Sequence, residues 1–313
     1  MVGVITQMAA LIVCGILWRS IRPGGLDADA TRRVLTTVVY YLLLPALVLV
    51  VLWRAPLGLS SIKISLLATA GVALGLLLTW GVCRVCKHGP AVIGAMVLAA
   101  AFPNATYLGL PVLENLFGET GRSIAIQYDL FACTPLLLTV GVLVAQHFGV
   151  KAAPRARPWL ELFKVPPLWA ALLAVVLNLT GVPVNAWLVG WLEMLAAGVV
   201  PLMLFSLGLS LRLDTWRLRY IPPLVPVIVI QLLLAPLLVW GLGSSLGLTG
   251  TLLIGVVLEA AMPSMVLGIV FCDRYGLDTS LYAAAVTVTT ALSLITLPLW
   301  YGWLSRGLPA GPG

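Results

Sequence analysis

Residues 99–111 read AAAFPNATYLGLP, and residues 258–268 read LEAAMPSMVLG. Each stretch places a proline, followed directly by a polar residue, inside a long apolar run. Proline has no N–H group and its ring collides with the carbonyl four residues earlier, so Pro103 and Pro263 each predict a broken helix. In a lipid-embedded chain, such backbone is tolerated only where it is buried in protein or lines a wet cavity. The two stretches therefore predict a functional site between two broken helices.

The composition of the whole chain places these stretches in a membrane. Of its 313 residues, 61% are hydrophobic and 9% are charged, and the mean hydropathy is +1.09. A soluble domain carries about 25% charged residues, so this chain has too little polar surface to face water all round. The net charge of +7 is spread between apolar runs, which favours the lipid bilayer as partner and excludes nucleic acid.

Apolar runs of the length that spans a bilayer recur along the sequence. A spanning helix needs about 20 mainly apolar residues. The sequence therefore predicts an all-α, multi-pass protein of the cell (inner) membrane with ten transmembrane helices. These helices are predicted over residues 2–21, 32–53, 62–83, 91–117, 122–147, 162–181, 185–211, 220–244, 250–273 and 279–304.

The basic residues are distributed unevenly between the two sides that these spans define. One side carries only Arg54, Lys63, Arg122 and Arg306, and the loops of the other side carry the rest of the 18 Lys and Arg residues. Cytoplasmic loops are enriched in Lys and Arg. The bias predicts that both termini lie outside the cell.

The two halves of the chain resemble each other. Residues 44–47 (LPAL) correspond to 200–203 (VPLM), and 101–105 (AFPNA) correspond to 261–265 (AMPSM). Each half has five predicted spans, an odd number, so the repeats must be inverted across the membrane, as in many secondary transporters. The predicted organisation is an N-terminal five-helix repeat over 1–150, a cytoplasmic linker over 151–160 and a C-terminal five-helix repeat over 161–313.

The broken helices predict a binding site for an anion. A helix that restarts after each proline has N–H groups without helical partners, and such N-termini attract negative charge. Inverted repeats bring the two positive helix ends together near the middle of the membrane. The prolines also free backbone carbonyls there, including that of Glu259, and these carbonyls could bind a cation. The predicted substrate-binding residues are Pro103, Asn104, Thr106, Pro263 and Ser264.

Two acidic residues inside predicted spans are candidates for ion coupling. Carboxylates within the membrane are costly and are functional hypotheses by default. Glu259 precedes Pro263 by one turn and is predicted to bind a coupling H⁺ or Na⁺. Asp129 is a second candidate, with a structural hydrogen bond as the alternative. The sequence predicts no cofactor beyond such an ion.

These motifs carry a resemblance to a known family. Residues 101–111 (AFPNATYLGLP) with 116–118 (LFG), and residues 261–264 (AMPS) through 292–298 (LSLITLP), resemble the auxin efflux carrier family, which includes plant PIN carriers and bacterial malate and malonate permeases. The resemblance implies the bile acid symporter/NhaA-like fold, with two broken crossover helices in a mobile transport domain that moves as an elevator against a scaffold domain. Both domains are expected to be built from both repeats. The resemblance also implies that Asn104 contacts the substrate. Two residues depart from the expected family pattern. Position 264 is serine where some relatives carry an amide or alanine, and Glu259 is not expected throughout the family.

The sequence thus predicts a secondary transporter of small organic anions, such as malate, malonate or auxin-like weak acids, and not an enzyme. A sodium-coupled bile-acid-type symporter and a substrate-sensing receptor on the same fold stay open as alternatives, as does a homodimer. An enzyme would need a catalytic constellation, whereas both histidines lie near helix ends and no phosphate-binding loop of the G-x-x-x-x-G-K type occurs.

Overall fold

The computed structural model of the chain describes residues 2–150, 162–183, 185–211 and 220–307. These residues are helical almost throughout and contain no β-strand, apart from an isolated bridge between Pro103 and Ser264. The predicted linker over 151–160 lies outside the described residues.

Where the described residues are continuous, the helices follow one another with short connections. The helices are α1 (Val2–Ile21), α2 (Ala28–Arg54), α3 (Leu59–Val85), α4 (Pro90–Ala101), α5 (Ala105–Phe148), α6 (Pro166–Leu179), α7 (Ala186–Ser210), α8 (Ile221–Ser245), α9 (Gly250–Ala260), α10 (Gly268–Tyr275) and α11 (Thr279–Leu304). Among them, α2, α5 and α8 contain wider π turns.

Local sequence signals account for where several helices begin. Pro90 and Pro166 occupy the first position of α4 and α6, where the missing N–H of proline costs nothing. The Asn185 side chain accepts a hydrogen bond from the N–H of Trp187 at 2.9 Å at the start of α7. Asp278 does the same for Leu281 at the start of α11, also at 2.9 Å. These side chains satisfy backbone donors that have no partner within the helix.

The helices have the length and composition of a membrane protein. Among the described residues, α2, α3, α5, α7, α8 and α11 are long and apolar enough to cross a bilayer. Shorter apolar helices are formed by Thr6–Ile21 within α1 and by α4, α6 and α9. The prediction of an all-helical membrane protein is confirmed.

The helices pack as two units. Helices α1, α2, α6 and α7 pack mainly against one another, and we call them the four-helix unit. Helices α1 and α7 approach each other closely where Gly15 and Gly208 face each other: a Cβ atom added at Gly15 would lie 2.9 Å from the Cα of Gly208. Only glycine permits such contact between two helix backbones.

Helices α3, α4, α5, α8, α9, α10 and α11 form the second group, which we call the crossover unit. Its helices also approach closely, since a Cβ added at Gly75 of α3 would lie 2.5 Å from the carbonyl oxygen of Ala100 in α4. Helix α5 bends at Gly118, whose φ of 58° suits glycine. The two units meet mainly where α1, α2, α6 and α7 contact α5, and α1 also contacts α11.

Candidate functional site

The first proline stretch interrupts the chain between α4 and α5. Helix α4 ends at Ala101, and Phe102 has extended backbone angles (φ −112°, ψ 104°). The helix restarts at Ala105, after Asn104, whose side-chain oxygen accepts a hydrogen bond from the N–H of Tyr107 at 3.3 Å. Asn104 is therefore the N-cap of the restarted helix, a position that asparagine favours.

The second proline stretch interrupts the chain between α9 and α10. Helix α9 ends at Ala260, residues 261–267 are not helical, and α10 begins at Gly268. This break is longer than the first one, and Pro263 lies near its centre.

The two interrupted segments cross and are joined through their main chains. The N–H of Asn104 donates to the carbonyl of Pro263 at 2.7 Å, and the N–H of Met265 donates to the carbonyl of Phe102 at 3.0 Å. The pairing is antiparallel. It brings the sequence-predicted residues Pro103, Asn104, Pro263 and Ser264 together at one crossing.

The main-chain groups at the breaks are less available than the sequence suggested. The expected free N–H of Asn104 is taken by Pro263, and that of Ser264 donates to the hydroxyl of Thr289 at 3.1 Å. The carbonyl of Glu259, expected to be free for a cation, accepts the N–H of Met262 at 3.2 Å. The prediction of these particular free groups was wrong, because the chain turns tightly after α9 and α11 supplies a hydroxyl.

Side chains at the crossing retain unused hydrogen-bonding capacity. Asn104 is 1% exposed and Ser264 is fully buried. The amide Nδ2 of Asn104 and the hydroxyl of Ser264 have no hydrogen-bond partner within the described part of the chain. Leaving a buried polar group unpaired costs about 1–3 kcal/mol, so a hydrogen bond from a ligand to either group would be favourable.

We call the parts of α5 before and after its bend at Gly118 its first and second arms. Asp129 lies on the second arm, beside the first interrupted segment. It is 6% exposed, and it accepts hydrogen bonds from the hydroxyl of Thr106 and from that of Thr134, the latter at 3.0 Å. The predicted residues Thr106 and Asp129 are thus direct partners. The cluster combines a carboxylate with two hydroxyl oxygens, all of them hard ligands.

Glu259 occupies a different environment. It is fully buried at the end of α9, and neither carboxylate oxygen has a hydrogen-bond partner among the residues that the structure describes. Its carboxyl group packs on Gly109 of α5, where an added Cβ would lie 2.6 Å from Oε1. Glu259 therefore lies outside the crossing itself, where its carboxyl group joins the end of α9 to the restarted helix of α5.

A cavity of about 70 Å³ opens between the two units at the crossing, and we call it the crossover cavity. Residues of α2, α6 and α7, together with Val165 just before α6, form an apolar wall that includes the phenol of Tyr40. The crossover unit contributes most of the polar groups. The lining residues are Val39, Tyr40, Leu44, Asn104, Thr106, Tyr107, Asp129, Leu130, Thr134, Val165, Pro167, Met203, Met265, Val266 and Leu267.

Sequence reasoning missed two polar residues of this cavity. Thr134 follows Asp129 by five residues inside an apolar helix, and this spacing could have identified it. Tyr40 comes from α2, in the other unit, so no pattern near the prolines points to it. Of the predicted site residues, Asn104, Thr106 and Asp129 line the cavity, whereas Pro103, Pro263, Ser264 and Glu259 do not.

A second and larger cleft, of about 310 Å³, separates the units elsewhere, and we call it the charged cleft. Arg54 and Glu193 form an ion pair at 2.9 Å on its four-helix side. Arg122 pairs with Glu114 on its crossover side. Each pair stays within one unit.

Comparison with known proteins identifies the family. A family model described as Membrane transport protein matches residues 3–157 and 154–301. An uncharacterized transporter of Methanothermobacter thermautotrophicus is 31% identical over 304 residues, which are 95% of this chain and 97% of the relative. The uncharacterized transporters MJ1031 of Methanocaldococcus jannaschii and YfdV of Escherichia coli are 29% and 25% identical, each over 68% of both chains. The chain therefore belongs to the membrane transport protein family of auxin efflux carriers.

Proposed function

We propose that the protein is a secondary transporter of small organic anions, carboxylates such as malate and malonate or auxin-like weak acids, and that the crossover cavity, widened by movement of one unit against the other, is its substrate site. The observation that carries this proposal is the buried, unpaired amide of Asn104 in a cavity between two helix units. Membership of a family of transporters is consistent with it.

The proposed binding mode uses donors that the crossing leaves free. The substrate carboxylate accepts a hydrogen bond from Nδ2 of Asn104, with the phenols of Tyr40 and Tyr107 at the cavity wall. Asp129 lines the same cavity and would repel an anion. Substrate therefore binds best when a cation neutralises Asp129, and by linkage the cation binds best when substrate is present.

Glu259 is the second proposed coupling group. A carboxylate that is buried without a hydrogen-bond donor is strongly destabilised when it is ionised. Glu259 therefore carries either a proton or a bound cation. Exchange of that ion during the transport cycle would couple substrate movement to a proton or sodium gradient.

The packing of the two units supports an elevator-type mechanism. The close glycine contacts described above, Gly15 with Gly208 and Gly75 with Ala100, join helices of the same unit. Both ion pairs of the charged cleft also lie within one unit. Movement of the crossover unit along the four-helix unit therefore breaks none of these contacts, and it would expose the crossover cavity to each side in turn.

The helix lengths support ten spans. Helix α5 has 44 residues and would extend about 66 Å if straight, about twice the hydrocarbon core, so its bend at Gly118 divides it into two spans. Helix α4 with the first arm of α5 forms one broken span, and α9 with α10 forms the other. With the remaining helices this gives ten spans, which we arrange as an inverted five-plus-five repeat over 1–150 and 161–313. The distribution of basic residues favours both termini outside the cell.

Uptake into proteoliposomes tests the proposed function. We expect the purified protein to accumulate at least one radiolabelled mono- or dicarboxylate, and to do so faster with a proton or sodium gradient than without one. Liposomes that contain no protein set the background. Failure of every carboxylate in the panel under both gradients would exclude the proposed substrate class and would favour a substrate-sensing receptor.

Asn104→Ala connects the uptake to the proposed site. Loss of a hydrogen bond to a charged group costs about 1.5–3 kcal/mol, so substrate affinity should fall roughly tenfold to a hundredfold. Asn115→Ala is the matched control, because Asn115 bonds the carbonyl of Pro111 within α5 and does not line the crossover cavity. Equal affinities in the two variants would make Asn104 a structural residue.

A further inference from the structure

The second crossing segment is held in place by three buried side chains of the crossover unit. Gln231 of α8 donates from Nε2 to the carbonyl of Met262 at 2.8 Å. Tyr282 of α11 donates from its hydroxyl to the carbonyl of Met265 at 2.8 Å. Thr289, two turns further along α11, accepts the N–H of Ser264. Together these contacts satisfy main-chain groups that the break removes from helical bonding.

A glycine provides the space that the hydrogen bond from Tyr282 to Met265 requires. Gly268, the first residue of α10, lies directly against the ring of Tyr282, and a Cβ added there would come within 2.8 Å of Cε2 and closer still to the hydroxyl. Any other residue at this position would displace the phenol that bonds Met265. The glycine therefore belongs to the same arrangement as the hydrogen bond.

The first crossing segment depends on the second for its position. Asn104 is bonded through its N–H to Pro263, and Phe102 is bonded through its carbonyl to Met265. Met265 thus accepts from Tyr282, donates to the first segment and lines the crossover cavity. A shift of the second segment would move Asn104 with it.

We propose that Gln231, Tyr282 and Thr289 are positioning residues for substrate binding: they hold the second segment so that Asn104 presents its amide to the crossover cavity. None of the three lines that cavity. The inference rests on the proposed transport function, and it extends the site from the groups that touch the substrate to a set of residues behind them.

Transport kinetics test the proposal with variants that each remove one oxygen atom. Tyr282→Phe and Thr289→Val should raise the KM for malonate in proteoliposomes by about two- to tenfold, the equivalent of one neutral hydrogen bond, with protein that stays monodisperse. Tyr301→Phe, on the same helix but outside the crossing, is the matched control and should leave KM unchanged. A lower melting temperature with unchanged KM would overturn the proposal.

A labelling experiment tests the geometry without any substrate. Met265→Cys is introduced into a chain whose five native cysteines are replaced, and its reaction rate with a maleimide is measured. Adding Tyr282→Phe should change this rate by more than about twofold, and adding Tyr301→Phe should not. Equal rates in the two variants would overturn the proposal. If the rates differ but the wild-type protein carries no malonate, the positioning role is supported and the proposed substrate fails separately.

Discussion

The two buried carboxylates, Glu259 and Asp129, differ in the support that the surrounding helices give them. Asp129 accepts hydrogen bonds from two threonine hydroxyls and lines the crossover cavity. Glu259 is fully buried against Gly109 with neither oxygen bonded within the part of the chain that the structure describes. The chain therefore stabilises a charge on Asp129 far better than one on Glu259.

Glu259→Gln is expected to separate substrate binding from ion coupling. The amide is nearly isosteric and cannot bind a proton or a cation as a carboxylate does. We expect the variant to keep its affinity for substrate and to lose the dependence of that affinity on pH or sodium. The measurement is substrate affinity across a pH series at fixed sodium, repeated without sodium.

Glu193→Gln is the matched control for this substitution, because Glu193 pairs with Arg54 in the charged cleft, away from the crossover cavity. It should keep the response of the wild-type protein. If Glu259→Gln also keeps that response, Glu259 is a packed structural residue, and the coupling role passes to Asp129 or is absent.

The sequence was sufficient to locate the residues of the crossing but not their bonding. Proline inside an apolar run identifies Pro103 and Pro263, because its missing N–H has the same consequence in any helix. The partner of each freed group depends on helices far away in sequence: Thr289, which takes the N–H of Ser264, follows it by 25 residues. Such partners are set by packing, so no local pattern predicts them.

Helices α1 and α7 of the four-helix unit make a close backbone contact. The contact uses Gly15 and Gly208, which lie in different halves of the chain. Nothing near either glycine in the sequence distinguishes it from the other 28 glycines. The apolar runs in the sequence predicted where helices form. Which helices pack against one another could be determined only from the structure.

Gly208→Ala is expected to destabilise the four-helix unit. The added Cβ would lie 2.9 Å from the carbonyl carbon of Ile12 and 3.0 Å from the Cα of Gly15, so the helices must separate. Overpacking of this kind costs about 1–3 kcal/mol, which a lower melting temperature in detergent would report. Gly190→Ala in the same helix meets no atom within 4 Å and should not lower it; equal melting temperatures would contradict the close packing.

The whole molecule consists of two units that meet along α5, with the crossover cavity and the charged cleft both on their boundary. The cavity takes its polar groups mainly from one unit and its apolar wall mainly from the other. Sequence analysis divided the chain into two repeats of five helices and expected, from the family resemblance, a scaffold and a transport domain built from both repeats; each packing unit takes helices from both halves. A division by packing cannot be read from the order of helices along the chain.

The orientation of the molecule in the membrane is predicted by the basic residues. In a chain without its native cysteines, Lys151→Cys should react with a membrane-impermeant maleimide only from the cytoplasmic side. Arg54→Cys, whose parent side chain is 39% exposed, should react only from outside. Permeabilised cells, in which both should react, provide the control. Identical accessibility of the two positions in intact cells would rule out ten spans with both termini outside.

The crossing of the two broken segments is made by main-chain atoms, through Asn104 to Pro263 and Met265 to Phe102. Almost every amino acid supplies the same N–H and C=O groups, so the bonds of the crossing itself do not depend on which side chains line the crossover cavity. Side chains that line the cavity can therefore be exchanged, while the residues behind the crossing that position it are kept. A single architecture can in this way serve chemically different solutes, and the identity of the cargo becomes a property of a few replaceable side chains.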